Sequence, residues 1–433
     1  MMSTNRRRPL GRRVAASIAA GVALTLLAAG CSSSGGGSGS STSGTLKVSW
    51  ISTESSAMKA LIKEFQKENP GITVTAAYAD VTPYQAAIRT QMLAGTAADI
   101  VYAWPGNGNG GAIDQLAPHG YLAPLDSLSF VSKIPKALAP MSQYKGKTYV
   151  LPSSVAGIGM ILDQNTMQKY GFSTPTTFSE VLKLCSDAKA KGINAFSLGG
   201  QDGWPTIMPP YALVATNVFR VNPNWDQDHE AKKTTFAGSS EYQESYKKFT
   251  QLITSGCFQD GSAGESFTNS TQLVAQGKTL GAIQISTVLN GFTAAAPKDK
   301  FVLTPLPGND NASDTWMSAG GSGGVAINAK TKVKALADKF AEFVGSDKGR
   351  KIYVDNSGTY PAIEYPGYTP PESVKSIGEF VKSGKVGPLL DQAWPNAEVQ
   401  QAMIQQNQNL LNGSVTGNDV LKAMDAAYEK GAP

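Results

Sequence analysis

From Leu46 to Ala103 the chain alternates between two hydrophobic periods, and that alternation leaves few folds open. Leu46-Lys47-Val48-Ser49-Trp50-Ile51 has the two-residue period of a strand. Ser52-Thr53-Glu54-Ser55-Ser56 then offers helix N-caps before Ala57–Asn69, where Leu61, Ile62 and Phe65 share one helical face. Asn69-Pro70-Gly71 stops that helix, and Ile72–Ala76 starts a second strand. Pro83–Gly95 reads as the next helix and Asp99–Ala103 as the third strand. This βαβαβ order predicts an α/β fold built on a parallel sheet with helices on both faces. Ligands in such sheets sit at the carboxyl ends of strands. Here those ends are Ser52–Ser56, Asp80 and Trp104–Gly110.

The same grammar recurs downstream. Thr148–Pro152 and Gly157–Leu162 read as strands, Thr176–Ala190 as a Thr-capped helix and Ala195–Leu198 as a strand. Helices are expected at Glu241–Ser255, Thr268–Gln276 and Ala335–Val344, and strands at Leu280–Ile285 and Gly324–Ile327. The tail from Asn396 to Lys430 is helical with a break near Gly413–Gly417. Nearly 390 residues follow the first 44, enough for two domains.

The N-terminus carries a different message. Five arginines and no acid precede Val14–Ala29, an uncharged apolar run of 16 residues. A membrane span needs about 20 apolar residues, so this run suits a signal peptide over 1–30. It ends at Leu27-Ala28-Ala29-Gly30-Cys31, which resembles a bacterial lipobox and makes Cys31 the lipidation site, although Ala28 stands where Leu is commoner. General secretion fits better than the twin-arginine route that Arg7-Arg8 and Arg12-Arg13 raise. Residues 31–44 form a Ser/Gly tether reaching roughly 20 Å. These features place the mature protein on the extracellular face of the cytoplasmic membrane, held by a lipid anchor.

Removing the five leader arginines from 38 basic residues leaves 33, equal to the 33 acidic ones. The basic excess therefore belongs to targeting and not to a nucleic-acid surface. Two histidines, His119 and His229, without paired cysteines argue against a zinc centre. The acidic run Asn222–Asp228 lacks the glycine and terminal glutamate of a calcium loop and reads as a solvated loop. No metal or cofactor is expected. Outside the cell Cys185 and Cys257 are free to form a disulfide; the alternative is two separately buried thiols.

Seven segments in fixed order carry a resemblance. They are Phe65–Val74 (FQKENPGITV), Ala94–Trp104 (AGTAADIVYAW), Leu122–Leu128 (LAPLDSL), Tyr144–Leu182 (YKGKTYVLPSSV and onward), Val274–Ile283 (VAQGKTLGAI), Gly320–Tyr353 and Thr359–Ala362 (TYPA). Behind a lipobox and tether, this set resembles the family-1 extracellular solute-binding proteins of ABC importers. The resemblance implies a two-lobed periplasmic-binding-protein-like fold with three hinge crossovers and a ligand cleft between the lobes. Mapped here, the crossovers fall near Val155, Ser286 and Gly345. Lobe one is then 45–155 with 287–345, and lobe two is 156–286 with 346–433. It also implies a monomer that captures a mono- or oligosaccharide and delivers it to a membrane permease pair.

Sugar recognition needs flat aromatic platforms with amides, carboxylates and hydroxyls. Trp104, Trp204 and Trp394 occupy loop or strand-end positions that match the family's stacking aromatics, and Trp316 is a fourth candidate. Glu54, Asp80, Asn107 and Asp202 are the polar candidates. Each has a plainer role open to it: Glu54 beside a helix N-terminus, Asp80 as a cap, the others as turn residues. The family often has an aromatic within Leu280–Leu289; here the stretch offers Gln284, Ser286 and Thr287. Other polar ligands, such as a polyol or glycerol phosphate, remain as alternatives, as does a secreted carbohydrate-active enzyme.

Enzyme motifs are otherwise weak. Gly106-Asn107-Gly108-Asn109-Gly110-Gly111 formally matches GxGxxG, but no second strand follows it. The GKT triplets at Gly146 and Gly277 lack the upstream glycine of a P-loop. The three SxxK matches have no SDN or KTG partners.

Overall fold

The computed structural model describes residues 43–431. The expected signal peptide, the expected lipidation site Cys31 and nearly all of the expected tether lie outside the described residues.

Two sheets organise the chain. The first contains β1 (Gly44–Ile51), β2 (Ile72–Ala79), β3 (Ile100–Ala103) and β4 (Leu122–Ala123). A hairpin of β5 (Gln143–Tyr144) and β6 (Lys147–Thr148) precedes β7 (Leu151–Pro152). The second sheet is built from β8 (Ser154–Asp163), β9 (Asn194–Ser197), β10 (Thr279–Ile285), β11 (Phe301–Thr304) and β12 (Met317–Gly321). The chain returns to the first sheet as β13 (Gly324–Asn328), then to the second as β14 (Tyr360–Pro361) and β15 (Val386–Gly387). The first sheet runs β2-β1-β3-β13-β4 with β7 on β13; the second runs β15-β12-β8-β10-β9, with β11 and β14 on β8.

The sheets are mixed, where the sequence pointed to parallel ones. β1 pairs parallel with β2 and β3, but β13 is antiparallel to β3, β4 and β7. β8 is antiparallel to β10, β11, β12 and β14. The physical reason is direction of entry. Strands that belong to a βαβ run end at the junction between the sheets. β8 and β13 begin there, because the chain has just crossed from the other sheet, so they run the opposite way.

The passage from 287 to 345 also differs from the expected lobe one. β11 and β12 add to the second sheet, and only β13 and helix Lys334–Gly345 join the first. Helix Asp347–Ser357 packs on the first sheet's helix α1 (Ser55–Glu68), although residues beyond 345 were expected in lobe two. The chain passes between sheets at 152–154, 321–324 and 357–360. Asn222–Asp228 is not the loop expected either: Trp225–Glu230 is a helix with Trp225 and His229 buried.

Each sheet has its own core. In the first, α1 ends where Asn69 and Pro70 break the helix, and it buries Met58, Leu61 and Phe65. Phe65 meets Phe340 edge-on at 5.0 Å. In the second, helix Phe178–Ala190 starts from a reciprocal capping box between Thr177 and Glu180 and buries Val181, Leu184 and Cys185. Cys185 is bonded to Cys257, which follows helix Ser240–Thr254, and both residues are fully buried.

This bond closes a loop across 72 positions of sequence. Replacing both cysteines by alanine should lower unfolding free energy by roughly 2–4 kcal/mol. Urea denaturation of the two proteins checks this. An unchanged midpoint would show that the second core holds without the crosslink.

Candidate functional site

The carboxyl ends of β1, β3, β9 and β10 face one another across a cleft whose enclosed volume is about 110 Å³. The first wall carries Ile51 at the end of β1, Thr53 and Glu54 after it, Val81 and Gln85 on α2 (Val81–Ala94), Tyr102 on β3 and Trp104 just beyond it. The second wall carries Ile158, Trp204, Ile207, Met208 and Tyr211. It is extended by Ile285, Thr287 and Val288 after β10 and by Leu389, Asp391, Gln392 and Gln400. The floor is Gly321-Ser322-Gly323, where the chain crosses between sheets. Among the described residues, no Lys or Arg lines the cleft.

Glu54 is 3% exposed, and both of its oxygens are engaged. Tyr102 Oη donates to Oε1 at 2.9 Å, and Tyr353 Oη donates to Oε2. Burial pushes the carboxyl up to about 7, against the opposing pull of the two phenols. Burial, with the Glu54 charge nearby, holds both phenols well above the usual tyrosine range.

The two indoles on the cleft are each braced from behind. Trp104 meets Tyr102 edge-on at 4.6 Å and Tyr84 at 5.9 Å. Tyr84 is itself locked to β3: its Oη donates to Tyr102 O at 2.9 Å and accepts from Tyr102 N at 2.8 Å. Trp204 lies against Phe267 at 4.7 Å. Both indoles are half-buried, with the remaining surface available to a guest.

Of the eight sequence candidates, the cleft brings together Glu54, Trp104 and Trp204. The other five do not line it. Asp80 is exposed at the N-cap of α2 and accepts from Ser52 Oγ. Asn107 bridges the glycine loop to the opposite wall, with Nδ2 donating to Pro395 O and Oδ1 accepting from Gln115 at 2.6 Å. Asp202 accepts from the Phe267 N–H, and its carbonyl accepts from Thr82 Oγ1 at 3.1 Å. Trp316 packs half-buried against the second core. Trp394 is only 2% exposed, held edge-on to Tyr211 and Phe236. It misses the cleft because the preceding turn Leu390–Ala393 points Asp391 and Gln392 inward instead. Of the three polar residues in the stretch after Leu280, only Thr287 reaches the cleft; Ser286 Oγ accepts from Gly157 N at 3.1 Å.

Several lining residues carried readable signals. Tyr102 lies two positions before Trp104, on the same side of a strand. Trp204, Ile207, Met208 and Tyr211 follow i, i+3, i+4, i+7 spacing, one helical face continuing from the loop. Gln85 is one turn beyond Val81. Asp391 and Gln400 had no local signal.

The family described as bacterial extracellular solute-binding protein matches residues 49–351. The Multiple sugar-binding protein of Streptococcus mutans is 23% identical, the alignment covering 71% of this chain and 72% of that one. A probable sugar-binding periplasmic protein of Mesorhizobium japonicum is 26% identical over 41% of this chain and 42% of its own. Among solved structures, the solute-binding protein RafE in complex with raffinose superposes with a TM-score of 0.76 at 19% identity, covering 90% of this chain and all 100% of that one. A sugar transporter from Bacillus licheniformis in complex with stachyose gives 0.71 at 19% identity, over 89% and 99% of the two chains. These superpositions establish a shared two-domain fold, and the family match spans well over half of the sequence. The chain belongs to the bacterial extracellular solute-binding proteins.

Proposed function

We propose that this protein is a carbohydrate receptor that holds a mono- or oligosaccharide between two lobes and hands it, chemically unaltered, to the permease pair of an ABC importer. The observation that carries this reading is the pairing of Trp104 and Trp204 on opposite walls of one cleft. A pyranose has two apolar C–H faces and a rim of hydroxyls. Two indoles cover such faces while Gln85, Asn109, Thr287, Gln392 and the buried carboxyls meet the rim. Covering one indole face removes roughly 80–100 Å² from water, about 2 kcal/mol at ~25 cal/mol/Å². Two faces and several hydrogen bonds of ~1 kcal/mol net reach the ~8 kcal/mol of a micromolar complex.

The lining has no Lys or Arg among the described residues, which disfavours a phosphorylated ligand such as glycerol phosphate. In this reading the lobes are residues 43–152 with 323–358 and 154–322 with 359–431, and the three crossovers hinge them. Cys31 carries the lipid, the Ser/Gly tether spans the headgroups, and the receptor works outside the cytoplasmic membrane. Incubation with oligosaccharides should return the sugar intact; released product would make the protein an enzyme.

Trp204→Ala should weaken sugar binding by about 2–4 kcal/mol in calorimetry and change the ligand-free melting temperature little. Lost stability with intact affinity would assign the indole to the core. Glu54 generates a second expectation. A carboxyl held at about 7 in the folded state and near 4.5 unfolded favours folding below pH 4.5, and that contribution fades as pH rises through 7. Glu54→Gln should therefore gain stability relative to the parent between pH 5 and 8, by on the order of 2–3 kcal/mol at the alkaline end. Melting curves across that range check the sign.

A further inference from the structure

The two lobes touch each other directly around the cleft, and those contacts set how much guest it holds. At the glycine loop, Asn107 N donates to Gln392 O at 3.2 Å and Asn107 Nδ2 donates to Pro395 O. Gln115 Nε2 donates to Asn107 Oδ1 at 2.6 Å, which turns the amide so that its Nδ2 faces the opposite lobe. A Cβ at Gly106 would lie 2.1 Å from Gln392 O, and one at Gly108 2.3 Å from Asp391 Cβ, so the loop meets the turn Leu390–Ala393 with no side chain of its own between them. At the start of α2, Thr82 Oγ1 donates to Asp202 O at 3.1 Å. On a third side the turn Ser52–Glu54 packs against the turn Ser286–Val288.

A sugar ring passing between two walls needs van der Waals contact on both faces, about 7–8 Å from wall to wall. The glycine loop and the start of α2 stand at hydrogen-bond distance from the opposite lobe instead, so neither place lets a second ring leave the cleft. The volume enclosed is about 110 Å³. At ~10–15 Å³ per water that is room for roughly ten water molecules, close to the ~12 non-hydrogen atoms of a hexose and far short of the ~34 of a trisaccharide. Two indoles on opposite walls, Trp104 and Trp204, suit the two faces of one such ring.

We propose that the receptor is built for a single-ring monosaccharide, and that Asn107 and Thr82 set this limit by tying the lobes shut over one ring. This rests on the carbohydrate reading and narrows its ligand. Neither side chain lines the cleft, so each acts through closure and not through contact with the guest. A longer sugar has to prop the lobes apart. Its complex forms without the two ties and without the close meeting of Gly106 and Gly108 with the opposite turn.

The test is calorimetric titration of the mature chain with glucose, galactose, mannose, xylose, arabinose and N-acetylglucosamine, and with maltotriose, xylotriose, chitotriose and raffinose. The tightest monosaccharide should bind at least about ten-fold more tightly than the tightest trisaccharide. Asn107→Ala and Thr82→Val should each weaken that monosaccharide roughly three- to ten-fold and leave the trisaccharide where it was, because only the smaller guest permits the ties. A trisaccharide binding within ten-fold of every monosaccharide, or more tightly, would overturn the size limit and leave the carbohydrate reading standing. Equal losses for both sugars in the two variants, or none for either, would overturn the ties as its cause. Failure of every sugar to bind the parent protein would overturn the carbohydrate reading and the size limit with it.

Discussion

The cleft exists because two crossing strands are bonded to each other at the place where they change sheets. Ser322 N donates to Ser154 O at 2.8 Å, Ser154 N donates to Ser322 Oγ at 3.1 Å, and Ser153 N donates to Gly323 O at 3.2 Å. These bonds fix the ends of β7, β8, β12 and β13 against one another. Every wall residue is positioned relative to that junction. Ile158 lies on β8, and Tyr102 sits on β3, which pairs with β13. A Cβ at Gly323 would come within 2.1 Å of the Tyr102 ring, so glycine at the crossing lets that ring pass beneath it to reach Glu54.

Much of the first half of the fold was legible because it depends on local pattern. Period-two and period-3.6 runs set β1, α1, β2, α2 and β3, and strand ends in such a run fall on the ligand side. Glu54, Trp104 and Trp204 were readable for that reason. Strand direction and the path after residue 286 were not. β12 includes Ala319-Gly320-Gly321, which has the composition of a loop. It is a strand because β8 supplies its partners, Val155–Gly157, a fact about neighbours more than 150 residues away. β11 similarly owes its place to β8.

The polar residues divide along the same line. Asn107 and Asp202 sit in loops that look designed for ligands, yet each spends its hydrogen bonds within the protein or across the cleft. A turn residue close to a cleft has backbone groups nearby to satisfy, and composition alone does not tell which partner wins. Asp391 is the converse case. It lies in a short turn whose conspicuous neighbour, Trp394, is an aromatic, and the turn's geometry sends the indole to the core and the carboxyl to the cleft. Sequence spacing of three residues could have supported either arrangement; the aromatic pocket formed by Tyr211 and Phe236 decides it.

The carboxyls on the lining explain why a cleft this apolar still favours a polar guest. Desolvation lifts Glu54 to about 7 and Asp391 to about 6, both above the usual carboxyl range. Both carboxyls already act as acceptors, Glu54 from Tyr102 and Tyr353 and Asp391 from Gln400. A guest hydroxyl can donate to the same oxygens. A lining with full charges would hold water tightly and resist the approach of indole faces to C–H surfaces. Burying the acids behind tyrosines and a glutamine keeps the hydrogen-bonding capacity and lowers the cost of drying the cleft. Among the described residues the lining carries these acids and no Lys or Arg, so its only formal charges are negative.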